Sequence, residues 1–141
     1  MRIVSFGDIH MSLQTIEHLA PELEKADLVI LSGDLTNFGG REDAEQVLAA
    51  TQRHARAVLA VSGNLDRPEV IDVLRARGIS LHDESRHVGN LGIFGCGGSN
   101  LTPFHTPRRY APSSSSINPR CASPGTSMNL PASTASAAPP W

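Results

Sequence analysis

Three apolar runs in the first half of the chain end in the same way, with a glycine followed by an acidic or amide side chain. Arg2–Phe6 runs into Gly7-Asp8, Leu28–Ser32 into Gly33-Asp34, and Ala57–Ser62 into Gly63-Asn64. Continuous apolar runs of this length, bounded by glycine, fit strands buried on both faces, as in a parallel sheet. Helical patterns separate them. Ser12 is a candidate N-cap for a helix from Leu13 to about Lys25, with Ile16, Leu19, Ala20 and Leu23 on one face. Pro21 is placed to break or kink it. Glu42 to about His54 gives a second helix, with Ala44, Val47, Leu48 and Thr51 inward. Pro68 suits the first position of a third, whose apolar set is Val70, Ile71, Val73 and Leu74 and which Gly78 ends. Ile79–His82 reads as a fourth strand. Gly89-Asn90 lies between His87–Val88 and Leu91–Phe94 as the turn of a tight hairpin. The order β-α-β-α-β-α-β-β predicts an α/β layered fold with right-handed crossovers.

The 141 residues suffice for one domain with a sizeable core. Composition changes after Tyr110. Ala111–Trp141 is dominated by Ser, Pro and Ala, with no acidic residue and one Arg. Such a stretch buries too little surface to offset its ordering entropy, so a domain over 1–107 and a disordered tail over 108–141 are expected. Net charge is −2 and the Lys and Arg residues are dispersed, which argues against a basic nucleic-acid-binding surface. No apolar run approaches the roughly 18 residues that span a bilayer, and the N-terminus lacks a signal-peptide pattern. Cys96 and Cys121 do not make a disulfide framework, so a reduced, cytoplasmic setting is expected. Cys96 itself reads as a small buried apolar residue.

In an open parallel sheet the carboxyl ends of neighbouring strands line one crevice, where ligands bind. Asp8, His10, Asp34 and Asn64 are therefore expected to meet there, although they are spread along the sequence. Glycine before each would let the chain turn sharply. Asp8 and His10 are two apart and would project to one side of an extended segment. This oxygen and nitrogen donor set suits Mn²⁺, Fe²⁺ or Zn²⁺. A carboxylate between two such ions can bridge them, and a pair about 3.5–4 Å apart can activate water and clamp both oxygens of a phosphoester displacement.

The pattern resembles the calcineurin-like metallophosphoesterases, whose signature runs D-x-H, G-D-x-x-D/N, G-N-H-D/E, a lone His, and G-H-x-H. The chain offers Asp8-Ile9-His10, Gly33-Asp34-Leu35-Thr36-Asn37 and Gly63-Asn64-Leu65-Asp66, in order and each after an expected strand. The resemblance covers roughly residues 1–107. It implies a β-sandwich flanked by helices, of which this chain supplies an incomplete version. It implies two divalent metal ions, with Asp8 and His10 on the first, Asp34 bridging both, and Asn64 on the second. Asp34, Asn64 and Asp66 would be the catalytic groups, with Asp66 orienting or charge-balancing the site. The implied reaction is hydrolysis of a small-molecule phosphomonoester or phosphodiester by a metal-bound hydroxide.

Two departures stand out. Leu65 occupies the position of a His proposed to protonate the leaving group, which shifts the expected preference towards esters with good leaving groups. The later His motifs are absent: His105 is the last His in the chain. With the change in composition near Arg108, this reads as a truncated or frameshifted product. An unfinished sheet would leave open edges, so marginal stability or a homo-oligomer is expected.

Plainer readings stand beside these. Asp and Asn at strand ends also serve as turn and capping residues, and Asp66 could cap the third helix. Asn37 reads as a loop residue, His18 and His54 as surface residues, His82 and His87 as neighbours of the hairpin rather than ligands, and His105 as loop packing. The glycine-rich Gly95–Asn100 stretch could present N–H groups to phosphate, although it matches no phosphate-binding fingerprint. The alternative function is a non-catalytic metal- or phosphate-binding module. A nucleotide-binding domain of another family ranks last, because no glycine fingerprint follows the first strand.

Overall fold

The computed structural model describes residues 1–99. The chain divides into two units, Met1–Ala111 and Pro112–Trp141, and the described residues all belong to the first. The expected tail over 108–141 lies outside them, as does His105.

The elements follow the expected alternation: β1 (Ile3–Phe6), α1 (Leu13–Leu23), β2 (Leu28–Ser32), α2 (Arg41–Gln52), β3 (Val58–Val61), α3 (Glu69–Ala76), β4 (Glu84–Val88) and β5 (Leu91–Gly95). β1, β2 and β3 form a parallel sheet in that order, with Ile3 opposite Leu28 and Val29 opposite Val58. β4 and β5 form an antiparallel hairpin closed by Gly89-Asn90, with Gly89 at φ 60°. A positive φ at the first central residue is what a two-residue hairpin turn needs.

Local signals set the helix ends. Ser12 precedes α1, but its hydroxyl meets Thr15 Oγ1 at 2.8 Å instead of capping a backbone amide. α1 runs through Pro21 and ends two residues later, so the proline falls in its last turn. At the end of α3, Gly78 takes the left-handed conformation at φ 68°. Its N–H donates to the Arg75 carbonyl at 2.9 Å and the Ile79 N–H to the Leu74 carbonyl at 3.0 Å. That is the Schellman arrangement, and it satisfies carbonyls the helix would leave open.

Two expectations are corrected. Ile79–His82 is not a regular strand. Ser80 bridges to Ala60 on one side and His82 to Gly95 on the other. Left-handed residues at Gly78 and Asp83 leave too short a segment for more pairing, so it joins the two sheets edge to edge. β1, in turn, is not buried on both faces. It is the edge of the sheet, and its residues alternate between exposed and half-buried.

Side-chain alternation divides the parallel sheet into two faces. Val29, Leu31, Val58 and Ala60 join Ile16, Leu23, Val47, Leu48, Val70, Val73 and Leu74 in one core, so α1, α2 and α3 share one face. Leu28 and Leu59 form a smaller core with Leu81, against which Ile30, Val61, Val88 and Ile93 pack, so the hairpin shares the other face. β2 and β3 read as continuous apolar runs because each meets a core on both sides. The described residues thus form an α/β fold with one helix layer, one parallel sheet and a short second sheet. None of their helices is long and apolar enough to cross a membrane.

Leu48 is fully buried in the larger core. Leu48→Ala should destabilise the domain by about 2–5 kcal/mol, the usual cost of lost transfer energy plus a cavity. A urea titration should show a lower midpoint with an unchanged m-value. An unchanged midpoint would mean that the helix layer does not pack as described.

Candidate functional site

The polar residues sit where the three parallel strands end. β1 and β2 stay paired beyond their last strand residues. Asp8 N–H donates to the Gly33 carbonyl at 3.0 Å, Ile9 and His10 N–H to the Asp34 carbonyl at 2.9 and 3.0 Å, and Met11 N–H to the Leu35 carbonyl at 3.1 Å. These bonds hold the Asp8–His10 turn beside Asp34. The turn is not extended, as its spacing suggested: Asp8, His10 and Met11 have φ of 51°, 47° and 65°, and Asp34 has 47°. Positive φ is uncommon for residues with a Cβ and persists only where the surroundings enforce it.

The turn still brings Asp8 and His10 together, with His10 Nε2 at 3.7 Å from Asp8 Oδ1. One ligating atom from each of Asp8, His10 and Asp34 lies within 4.8 Å of the others. Asp8 and His10 are exposed, while Asp34 is partly buried and accepts the Leu65 N–H on Oδ1 at 2.9 Å. Two carboxylates and one imidazole, close together and open to solvent, fit a divalent cation by donor chemistry.

Asp8, Asp34 and Asn64 line a cleft of about 200 Å³ together with Ser32, Ser62, Gly63, Cys96, Gly97 and Gly98. Sequence reasoning missed Ser32 and Ser62. The signal available was their place, each immediately before the glycine that ends a strand. Cys96 is a correction: it was expected to be buried, yet it is exposed and lines the cleft. It follows the last residue of β5, where the chain leaves the hairpin and turns across the sheet end.

Asp66 lies beneath the cleft and is fully buried. Its Oδ1 accepts the Thr36 N–H at 2.7 Å and the Thr36 hydroxyl at 2.8 Å, and its Oδ2 accepts the Gly63 N–H at 2.7 Å and the Leu35 N–H at 3.2 Å. The carboxylate therefore spans the loops after β2 and β3. Helix α3 has no side-chain cap, and Pro68 stands at its N-cap.

A family model described as a calcineurin-like phosphoesterase superfamily domain matches residues 1–126. The chain belongs to that superfamily. It is also similar to the uncharacterized protein MJ1162 of Methanocaldococcus jannaschii, with 34% identity over 110 residues, 78% of this chain and 49% of that protein. The chain thus spans about half the length of this curated relative. No solved structure gives a significant match.

Within this calcineurin-like domain Asn37, His18, His54, His82 and His87 do not line the cleft. Asn37 is exposed in the loop after β2, His18 is exposed on α1, and His87 is exposed on β4. His54 is more enclosed than a surface residue: its ring reaches Glu17 at 3.1 Å and Glu24 at 3.4 Å, bridging α2's end to α1. His82 is buried beside the glycine-rich loop.

Glycine has a different use here from the one expected at two of the strand ends. Gly33 does take a positive φ, of 107°, but Gly7 and Gly63 do not. They allow close approach: a Cβ on Gly63 would overlap the Asp34 carboxylate and amide, and one on Gly7 would overlap Ser32 Oγ. Gly63→Ala should therefore displace Asp34 and weaken Mn²⁺ binding at least about tenfold, by analogy with lost support of a ligating side chain. Calorimetric titration with Mn²⁺ checks this, and unchanged affinity would separate Asp34 from the ion. Asp66→Ala would strand several buried donors and should cost about 3 kcal/mol or more. Denaturant unfolding measures it, and a loss under about 1 kcal/mol would contradict the clamp role, since one stranded donor alone costs that much.

Proposed function

We propose that this calcineurin-like domain hydrolyses a small-molecule phosphomonoester or phosphodiester with the help of two divalent ions. The observation that carries the reading is the meeting of Asp8, His10 and Asp34 at the strand ends, beside a cleft that Asn64 also lines. Asp8, His10 and Asp34 would hold one ion, and Asp34 and Asn64 a second. Divalent ions there would supply Lewis acidity, to activate water and neutralise charge on the phosphoryl group.

The protein's own residues do the rest. The Leu65 N–H holds Oδ1 of Asp34 and so fixes the plane of the carboxylate between the two loops. Asp66 fixes both loops from below without reaching into the cleft. The carboxamide of Asn64 can offer its oxygen to an ion and its N–H groups to a phosphoryl oxygen. The glycines around the cleft leave backbone, rather than side chains, to face the substrate. The second reading is a binding module without turnover, favoured by the lack of a histidine among the described residues that line the cleft.

The deciding experiment is hydrolysis of bis(p-nitrophenyl) phosphate with Mn²⁺, using the full chain and Asp34→Asn. Turnover that needs Mn²⁺ and falls at least about a hundredfold in the variant supports the enzyme, a loss of the size expected when a group acting in the transition state is removed. Mn²⁺ binding without turnover supports the binding module. Mn²⁺-dependent turnover untouched by the substitution would remove Asp34 from the mechanism.

A further inference from the structure

The wall of the cleft formed by Cys96, Gly97 and Gly98 comes from the end of the hairpin rather than from the parallel sheet. Its placement needs an explanation, because loops of glycine have little stiffness of their own. The root of the wall is tight. Gly95 sits so close to β3 and the joining segment that an added Cβ would lie 2.6 Å from Val61 Cγ1 and 2.7 Å from Leu81 Cβ. Its carbonyl accepts the Asp83 N–H at 3.0 Å. Further along, a Cβ on Gly97 would overlap the carbonyl of Ser62, so this part of the wall packs directly on the end of the parallel sheet.

A side chain also holds the wall. His82 is buried, with 8% of its surface exposed, and its Nδ1 accepts the Gly97 N–H at 3.0 Å. An amide N–H can only donate, so Nδ1 carries the lone pair and the ring proton of a neutral imidazole sits on Nε2. Nε2 lies 3.4 Å from Asp83 Oδ2, where that proton is welcome. The His82 N–H in turn donates to Ser80 Oγ at 3.1 Å, which fixes the backbone that carries the ring.

We infer that His82 is a positioning residue for the cleft: by accepting the Gly97 amide on Nδ1 it sets the wall that Cys96, Gly97 and Gly98 present to the substrate. Its effect on turnover rests on the phosphoesterase reading, whereas its effect on the wall does not. Cys96, exposed on that wall, provides an internal reporter.

Two variants separate the geometry from mere polarity. His82→Asn keeps an acceptor on the γ-carbon, where Nδ1 stands. His82→Gln moves the acceptor one atom further, to the place of Nε2. The full-length protein and both variants are treated with iodoacetamide, and alkylation of Cys96 is followed by peptide mass spectrometry, which distinguishes it from Cys121. The exposed Cys96 thiol donates to Asp83 Oδ1 at 3.8 Å, a contact that holds it protonated and that a displaced wall would break. The Gln variant should therefore raise the Cys96 rate about fivefold, the change that loss of one ordinary hydrogen bond permits, and the Asn variant should match wild type. On bis(p-nitrophenyl) phosphate with Mn²⁺, the Gln variant should raise KM with little change in kcat, and Asn should restore KM. Equal Cys96 rates in all three proteins, or a faster rate in Asn than in Gln, would overturn the inference. Absence of turnover in wild type would overturn the phosphoesterase reading alone, and the alkylation rates would still decide the role of His82.

Discussion

The buried carboxylate of Asp66 is the constraint on which the site's geometry depends. Moving a charge out of water is costly, and a protein tolerates it only when donors replace the lost hydration. Here the donors come from Leu35 and Thr36 after β2 and from Gly63 after β3. The same bonds that make burial of Asp66 tolerable therefore tie two strand ends together at fixed separation. One backbone bond, from the Arg67 N–H to the Gly39 carbonyl at 3.2 Å, joins the same two loops further along.

Asp34 extends the tie to the first strand. Its carbonyl receives the amides of Ile9 and His10, and its side chain receives the amide of Leu65. One residue thus binds all three loops, through main chain on one side and carboxylate on the other. The left-handed conformations at Asp8, His10, Met11 and Asp34 are the local cost of that convergence. Gly63 makes room for it, since any side chain there would occupy the space of the Asp34 carboxylate. A cation drawn to Asp8, His10 and Asp34 would meet one carboxylate already held by a backbone amide, that of Asp34, and two residues whose main chain is paired to the Asp34 loop, which lowers the ordering left to do on binding.

The strand ends were legible because apolar runs and the glycines that close them are local patterns, and a parallel sheet then dictates that its carboxyl ends lie together. That logic brought Asp8, Asp34 and Asn64 to one cleft, with His10 beside Asp8 and Asp34 rather than in its lining. It failed where tertiary pairing decides the outcome. Ile79–His82 has the composition of a strand, yet its neighbours allow it only isolated bridges. β1 looks like β2 in composition but lies at the edge, and edge position is a property of topology. Cys96 is apolar in type, and although the glycine-rich run around it suggested contact with phosphate, nothing local reveals that its own side chain is exposed at the cleft. The resemblance gave Asp66 an orienting role, but its hydrogen bonds to Leu35 and Thr36, 31 and 30 positions away, and that of His82 to Gly97, 15 positions away, are set by tertiary structure.

Leu65 shows how a position can keep one function and lack another. Its backbone N–H fixes the Asp34 carboxylate, a service any residue but proline can perform. Its side chain offers no proton. Among the described residues that line the cleft there is also no histidine or lysine, and His10 groups with Asp8 and Asp34 instead. Under the proposed reading, none of these described residues would protonate a departing alkoxide, which matters for poor leaving groups and not for good ones.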